Sequence, residues 1–325
     1  MQIMKRFDVV ALGELLVDFT MNGNSVQGNP LFEENPGGAP CNVLAMLQRL
    51  GRQTAFLGKV GKDSFGGMLK KTVQEQGIDV SGLVMDDKVP TTLAFVHTAP
   101  DGDRNFSFYR SPGADMMLKK EEVVISFLKD TRIFHFGSLS MTDEGVEAAT
   151  KMAVEEAKGA GAFVSFDPNL RPPLWKSLEM AKEKISYGIS QCDILKISDD
   201  EILFFTGTSD IDEGVAKIQE EFGTLLIFAT MGKNGSRAYY QGRRIECGPF
   251  VNQNTIETTG AGDTFMACVL NGILEHGLEG LSEQNLYEML EFANAAASLI
   301  TTKKGALKVM PEEKEVRDFI QAKKG

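Results

Sequence analysis

The stretch that organises the rest of the chain is ETTGAGDTF, residues 257–265. Gly260 and Gly262 flank Ala261, so the backbone can pass close to a bulky ligand without a side-chain clash. After this turn, apolar residues recur at the spacing of one helix face: Phe265, Met266, Val269, Leu270, Ile273 and Leu274. The spacing predicts a helix that ends at Gly277, in the left-handed cap position. The glycine turn would therefore lie at a helix N-terminus, which is an anion-binding site.

Asp263 is the unusual residue of this turn. An acid in the first turn of a helix stabilises it by about 0.3–1 kcal/mol, so capping alone would account for its presence. A carboxylate at a phosphate site can also accept the proton of an attacking hydroxyl while the helix N-terminus stabilises the transferred phosphoryl group. From this stretch alone, capping and catalysis are about equally supported.

Composition narrows the class of partner. The 325 residues include 34 Lys and Arg against 45 Asp and Glu, a formal net charge of −11. This balance argues against nucleic acid or an anionic membrane as partner, because both require basic protein surface. The four cysteines show no paired spacing, so we expect reduced thiols and no zinc site, although two disulfides would also fit the count. The sequence has no signal peptide and no apolar run long enough to span a bilayer, so we expect a cytoplasmic protein.

Apolar runs alternate with helical patterns through most of the chain. Residues 7–13, 133–137, 163–167, 194–197 and 225–230 are typical of buried strands. The alternation predicts an α/β fold with a mostly parallel sheet, covered by helices on both faces and connected by right-handed crossovers. We expect one main domain over residues 1–325.

Polar residues and a second glycine turn follow the first strand. Glu14 and Asp18 lie just beyond it, on the side where open α/β sheets bind ligands, although solvated loop acids would give the same pattern. In the turn of residues 37–42, Pro40 suits the start of a helix. Asn42 would lie in the first turn of that helix, with its amide free to bond a neutral hydroxyl. An ordinary turn explains these glycines equally well.

Residues 91–98 and 104–110 have the pattern of two short strands joined by a Pro-Asp-Gly-Asp turn at 100–103. A two-stranded ribbon is barely stable alone, so this hairpin must pack on something. It would serve either as a lid over a site or as the contact with the matching hairpin of a second subunit.

Three cations occupy unusual settings. Lys233 lies in a glycine turn after a strand, where it could meet a phosphate chain, although an ordinary strand exit fits as well. No glycine-lysine pair is followed by Ser or Thr, so a Walker-type nucleotide loop is absent from the sequence. Arg171 lies between proline-rich residues after another strand, and Arg110 is the last residue of the predicted hairpin. Taken singly, both arginines would be assigned to the surface.

Together, residues 37–42, 58–63 and 258–265 resemble the two signatures of the ribokinase-like (PfkB) family of small-molecule kinases, over essentially the whole chain. The resemblance implies a three-layer α/β/α domain with a small β-strand lid, here residues 16–36 and 90–112, that often forms a homodimer contact. Residues 13–19, 108–116 and 167–175 are most similar to the branch of the family that phosphorylates fructose.

The resemblance implies transfer of the γ-phosphoryl group of ATP to the 6-hydroxyl of the sugar, with magnesium (Mg²⁺). It assigns catalysis to Asp263 as general base, to Arg171 near the transferred phosphate, and to the helix N-terminus at Gly260, Ala261 and Gly262. There the N–H groups from Ala261 to Asp263 would form an anion hole. It assigns sugar binding to Asp18, Gly37, Gly38, Asn42 and Arg110. It assigns the nucleotide site to Thr230, Gly232, Gly235, Asn294 and Ala297.

Two positions depart from the family pattern. The Asn-x-x-Glu motif linked to magnesium is Ser198-Asp199-Asp200-Glu201 here, so Glu201 is retained and Ser198 replaces the amide. Glu257 replaces the usual aspartate of a monovalent-cation loop, which makes a potassium (K⁺) requirement a weak expectation.

Two rival functions stay open. A kinase of the same family acting on 2-keto-3-deoxygluconate could hold a substrate carboxylate with Tyr109, Arg110 and Arg171. A catalytically silent sugar-binding regulator could share the fold, because function resides in the site.

Overall fold

The computed structural model describes residues 5–98 and 104–324. The strands in chain order are β1 (Phe7–Leu12), β2 (Leu16–Asn24), β3 (Pro30–Gly37), β4 (Thr54–Gly61), β5 (Leu83–Asp86), β6 (Leu93–Thr98), β7 (Arg104–Tyr109), β8 (Thr131–Gly137), β9 (Phe163–Asp167), β10 (Ile194–Ser198), β11 (Leu226–Thr230), β12 (Ser236–Tyr240) and β13 (Arg243–Cys247). The helices are α1 (Ala39–Arg49), α2 (Ser64–Glu75), α3 (Ile125–Lys129), α4 (Glu144–Gly159), α5 (Leu178–Gln191), α6 (Asp199–Thr206), α7 (Ile211–Phe222), α8 (Ala261–His276), α9 (Glu283–Ile300) and α10 (Glu313–Lys324).

The large sheet has the order β13-β12-β11-β10-β9-β8-β1-β4-β5. Neighbouring strands are parallel from β5 across to β11, and antiparallel from β11 to β13. One face of the sheet packs on α1, α8 and α9, and the other on α4, α5 and α7, so each face has its own hydrophobic core. The predicted three-layer α/β/α fold with a mostly parallel sheet is confirmed. Its strands are buried on both faces, which is why they appear in sequence as continuous apolar runs.

A second, four-stranded sheet has the order β3-β2-β6-β7. The predicted hairpin is present as β6 and β7, which pair antiparallel, while its turn at 100–103 lies outside the described residues. The hairpin packs on a neighbour in its own sheet: β6 pairs parallel with β2, and the Phe19 and Phe95 rings stack with centroids 4.8 Å apart. The sheet is therefore mixed, and β2 and β3 supply the support that a two-stranded ribbon lacks. Its role as a lid stays a prediction.

Helix α8 begins and ends where the sequence predicts. The predicted left-handed cap at Gly277 is wrong, because its φ of 80° is combined with ψ of 159°, outside the left-handed helical region. The prediction of a single buried face was too narrow, because residues 264–270 are buried in succession. The reason is its position between α1 and α9 on the sheet, which encloses the helix on several sides. A helix that is apolar nearly all round belongs to the interior of a large domain.

All four cysteines are buried free thiols, as expected for a reduced protein: Cys41, Cys192, Cys247 and Cys268. Within residues 5–98 and 104–324, none of the helices combines the length and apolar character that a membrane span requires.

Candidate active site

The two glycine turns meet at the carboxyl edge of the large sheet. The side-chain amide nitrogen (Nδ2) of Asn42, in the first turn of α1, donates a hydrogen bond of 2.8 Å to Oδ2 of Asp263 in the first turn of α8. This bond joins residues 221 positions apart in the chain. It brings the two predicted signatures into a single crevice, where open α/β sheets bind their ligands.

The turn before α1 consists of glycines because two acids approach it closely. A Cβ atom on Gly37 would lie 2.4 Å from Oδ2 of Asp18, and one on Gly38 would lie 2.4 Å from the carbonyl oxygen of Glu14. Gly38 also has φ of +129°, which other residues rarely adopt. The carboxylate of Glu14 accepts a 2.9 Å hydrogen bond from the backbone N–H of Ala39, at the start of the helix.

Three carboxyl groups near this turn hold their protons more tightly than usual. Burial raises the pKa of Glu14 to about 7, and it raises the pKa of Asp18 to about 7 against the pull of the Arg171 guanidinium. Burial also raises the pKa of Asp263 to about 6, while the hydrogen bond from Asn42 lowers it. Glu14 and Asp18 are therefore not solvated loop acids. Carboxylates with pKa values near neutrality in a crevice are suited to accepting a proton at physiological pH.

The side-chain carbonyl oxygen (Oδ1) of Asn42 has no hydrogen-bond partner in the described part of the chain, although it is buried. The sequence predicted an amide free to bind a neutral hydroxyl. The NH₂ group of this amide instead donates its hydrogen bond to Asp263, and the side-chain oxygen is the part that remains without a partner. A buried acceptor left unpaired is costly, so this atom is available to accept from a hydroxyl donor.

The turn before α8 differs from the first. Gly260, the N-cap residue, adopts the left-handed conformation, with φ of +77°, and it has no side chain that could cap the helix. The backbone N–H of Ala261 donates 3.2 Å to the carbonyl of Thr258, so it is engaged within the turn. The predicted anion hole therefore rests chiefly on the N–H groups of Gly262 and Asp263, which begin the helix.

A buried ion pair that the sequence analysis missed lies behind this turn. Nζ of Lys196, on β10, is 2.9 Å from Oδ2 of Asp167, at the end of β9, and both residues are buried. A Cβ atom on Gly262 would lie 3.1 Å from that Nζ. Residues 194–197 were interpreted only as an apolar strand. The available signal was the lysine itself, because a charge in a buried strand requires a partner.

Glu201 connects two loops at the same edge. Its Oε1 accepts 2.8 Å from the N–H of Leu170, and its Oε2 accepts 2.9 Å from the N–H of Ser198. Ser198 in turn caps α6, so the residue that replaces the family's asparagine has a local role. Among the described residues, no group of three or more His, Cys, Asp or Glu side chains is arranged to hold a metal ion. A metal ion bound here would take most of its ligand oxygens from phosphate.

The residues assigned to the nucleotide are brought together around the β11–β12 turn. Thr230 ends β11, and Gly232 and Gly235 have φ of +51° and +86°. Asn294 on α9 is buried, accepts from Ser236 and donates to the carbonyls of residues 247 and 248, so it fixes the walls of this region. Ala297 follows on the same helix and is partly exposed.

The two arginines differ in how they are held. Arg171 is exposed and donates to the adjacent carbonyl of Leu170, and its charge lowers the pKa of Asp18 and of Asp263. Arg110 is buried, not a surface residue. Its guanidinium donates to Asp115, and further bonds join it to the hydroxyl of Thr142 and the carbonyl of Leu139. A part for Arg110 in sugar binding would therefore be indirect.

A carboxylate near neutrality, an unpaired acceptor for a hydroxyl and an uncapped helix N-terminus define a phosphotransferase that acts on an alcohol. Residues 6–313 match the model of the pfkB family carbohydrate kinases. The chain belongs to this family, and it is a sugar phosphotransferase.

Named relatives agree in length and fold. Fructokinase-1 of Zea mays is 40% identical over 315 residues, covering 96% of this chain and 97% of the relative. The crystal structure of a fructokinase with bound ATP from Xylella fastidiosa has 31% identity and a TM-score of 0.89, covering 98% of this chain and 99% of that one. A fructokinase from Vibrio cholerae O395, in its fructose, ADP and calcium ion bound form, has 28% identity and a TM-score of 0.86, covering 97% and 99%.

Proposed function

We propose that this chain is an ATP-dependent fructokinase, which transfers the γ-phosphoryl group of ATP to the 6-hydroxyl of fructose. The observation that carries the proposal is the bond between Asn42 and Asp263, because it joins an alcohol-binding turn to an anion-binding turn. The relatives that are similar over nearly the full chain are fructokinases, and two of the neighbouring structures contain ATP, or fructose with ADP.

In this proposal, Asp263 accepts the proton of the 6-hydroxyl as that oxygen forms a bond to the γ-phosphorus. The bond from the γ-phosphorus to the oxygen bridging to the β-phosphorus breaks in line, and ADP leaves with that electron pair. The N–H groups of Gly262 and Asp263 bind the oxygens of the transferred group. Gly260 and Ala261 hold the turn that aims them, and Arg171 lies on the solvent side of the same anion.

Fructose would be held by the α1 turn. Asp18 accepts from sugar hydroxyls, and the buried oxygen of Asn42 accepts another. Gly37 and Gly38 let the ring approach the backbone, because neither has a side chain. Arg110 would contribute indirectly, through the buried ion pair that it forms with Asp115.

ATP would lie along the β11–β12 turn, with its phosphates directed to α8. The walls of this site would be Thr230, Gly232, Gly235, Asn294 and Ala297. Magnesium fits a site in which phosphate and water supply most ligands, and Glu201 is the side chain that would bind it, directly or through water. When bound, it would neutralise charge on the phosphate oxygens. Glu257 accepts from the N–H of Gly305 here, and a K⁺ requirement stays a weak expectation.

The rival acid substrate is less well supported. Of the three side chains that could hold its carboxylate, Tyr109, Arg110 and Arg171, the guanidinium of Arg110 already forms an ion pair with Asp115, and both side chains of that pair are at most 4% exposed. A silent sugar-binding regulator would not require Asp263 to be held beside an unpaired acceptor at an uncapped helix start.

The test is ADP release measured side by side on fructose and 2-keto-3-deoxygluconate, with product analysis by NMR. We expect turnover of fructose to fructose 6-phosphate at a kcat/KM at least about tenfold above that for the acid. Preference for the acid would transfer the assignment to the rival kinase. No turnover of either compound, despite binding of fructose, would favour the regulator.

The predicted homodimer also stays a proposal, and an apolar surface supports it. On the small sheet, the exposed ring of Tyr109 packs edge-on against Phe95, and Met21 on β2 of the same sheet is also exposed. Light scattering on a Tyr109→Ser variant tests the lid as the contact: we expect a shift from dimer to monomer, whereas an unchanged mass would exclude this surface.

A further inference from the structure

We propose that Lys196 is a positioning residue for phosphoryl transfer, whose buried ammonium supports the anion site at the start of α8 from behind. The proposal rests on the function proposed above, since it assumes that a phosphoryl group is bound at Gly262 and Asp263. It adds a residue to the machinery that the sequence analysis did not single out.

The geometry of the ammonium carries the argument. Nζ of Lys196 donates to both carboxylate oxygens of Asp167, at 2.9 and 3.2 Å. On its other side, it is 3.1 Å from the position that a Cβ atom on Gly262 would occupy. Only glycine lets the ammonium come this close to the first turn of α8 without displacement. The lack of a side chain at Gly262 therefore makes room for the ammonium on the inner side of the turn as well as for a ligand on the outer side.

The two charges of the ion pair act on different parts of the site. Burial is the main cause of the raised pKa of Asp263, and the charge of Asp167 raises it further, more strongly than Lys196 lowers it. The ammonium, by contrast, is the member of the pair that lies beside Gly262, 3.1 Å from the position of an added Cβ atom. The carboxylate of Asp167 thus favours proton uptake by Asp263, and the ammonium of Lys196 favours an anion bound at the start of α8. A fixed charge in a site withdrawn from water acts more strongly than one at the surface.

The surrounding charges explain why such support is needed. At this edge the charges of Glu257 and Asp263 both raise the pKa of Asp18, and the whole chain has a net charge of −11. Arg171 opposes them but is exposed, so its charge is screened by solvent. A triphosphate entering this crevice would meet acids first. Lys196 supplies positive charge that is held in place before the ligand arrives.

The chain contains a matched control, Lys59. It is 4% exposed against 6% for Lys196, and it also lies on a strand of the large sheet. Its Nζ is 2.9 Å from Asp86 and 2.8 Å from Glu122. The two lysines therefore share burial and pairing but differ in what lies beside them.

The experiment compares Lys196→Met, Asp167→Asn, the double variant with both changes, and Lys59→Met. The double variant removes both charges, so it restores folding if Lys196→Met alone leaves a buried carboxylate unpaired. Two quantities are measured on folded protein: kcat with fructose, and the Kd values for ADP and for a non-hydrolysable ATP analogue in the absence of sugar.

We expect Lys196→Met and the double variant to lose about 10²-fold in kcat, as for removal of a preorganised charge-stabilising group. Both should bind the ATP analogue about tenfold more weakly while ADP binding changes little, because the ammonium lies at the transferred phosphoryl. Asp167→Asn retains the cation, so we expect it to lose less than about tenfold. Lys59→Met should lower Tm and leave kcat within about threefold of the original.

Three results would overturn the proposal. Recovery of kcat in the double variant would mean that Lys196 only neutralises Asp167. Equal weakening of ADP and the analogue, or an equal loss of kcat in Lys59→Met, would mean that the role is structural. If the unaltered protein does not phosphorylate fructose, the proposed substrate is wrong, yet the comparison of analogue with ADP needs no sugar and still decides the role of Lys196.

Discussion

The turns before α1 and α8 use the same local device, a pair of glycines that opens the N-terminus of a helix. They differ in what lies around them. The α1 turn faces two acids, and the carboxylate of Glu14 already accepts the N–H of Ala39. The N-cap residue of α8 is Gly260, which has no capping side chain, and Lys196 lies behind that turn. The comparison teaches that a glycine turn alone does not select a ligand. In the account proposed here, the neighbouring charges decide whether a turn receives a neutral alcohol or an anion.

The largest expected effect comes from removing the base at the α8 turn. Asp263→Asn should lower kcat by about 10²–10⁴-fold, the usual contribution of a positioned general base, with fructose binding largely retained. Steady-state kinetics with equilibrium binding of fructose measures both quantities. Full activity in this variant would refute the assignment of the base.

The second prediction adds a methyl group to one glycine of each turn, at the point where a charged side chain approaches closely. Gly262→Ala places Cβ 3.1 Å from Nζ of Lys196, and Gly37→Ala places it 2.4 Å from the carboxylate of Asp18. We expect the first to lower kcat by roughly 10–100-fold and the second to raise the KM for fructose by a similar factor, because small displacements at a reacting site are costly.

The control for both is Gly67→Ala on α2, where an added Cβ would meet nothing within 4 Å. Alanine there should leave the kinetics unchanged and stabilise the helix by roughly 0.5–1 kcal/mol. If both site variants changed the same kinetic parameter, the division of labour between the two turns would be wrong.

Removing the bridge between the turns should have a smaller effect. Asn42→Ala deletes one acceptor for the sugar, so we expect a roughly tenfold rise in the KM for fructose. The amide of Asn42 lowers the pKa of Asp263, so its loss raises that pKa and moves the acidic limb of the kcat profile to higher pH. An acidic limb that stays at the original pH would separate Asn42 from the base.

The smallest effect on turnover is expected for Glu14→Gln, within about threefold, since glutamine keeps an acceptor for the N–H of Ala39. Stability should respond instead. The folded-state pKa of about 7 lies above the ordinary 4.5, so ionised Glu14 destabilises the fold, with no penalty below about pH 4.5 and the full penalty above about pH 7.

Glu14→Gln should therefore raise Tm at pH 8 and leave it nearly unchanged at pH 4.5, with a gain of no more than about 3 kcal/mol in the free energy of unfolding. Thermal melts at the two pH values measure this. A larger gain at the acidic pH would contradict the burial of an ionisable Glu14.

The sequence predicted the α/β class, the two glycine turns and the hairpin, because these depend on local periodicity and turn chemistry. It did not predict the exposure of side chains that meet across the chain. Arg110 and Asp115 are only five positions apart, yet nothing in their spacing indicates a buried pair. The bond from Asn42 to Asp263 depends on the stacking of α1 on α8, which local patterns do not specify. Lys196 was missed because its strand was judged by its apolar neighbours.

The most direct test of the central claim is a crystal structure with fructose and a non-hydrolysable ATP analogue bound together. We predict the 6-hydroxyl oxygen within about 3 Å of a carboxylate oxygen of Asp263, with the terminal phosphate on the N–H groups that begin α8. A sugar bound with another hydroxyl at Asp263, or a terminal phosphate away from Gly262, would contradict the account.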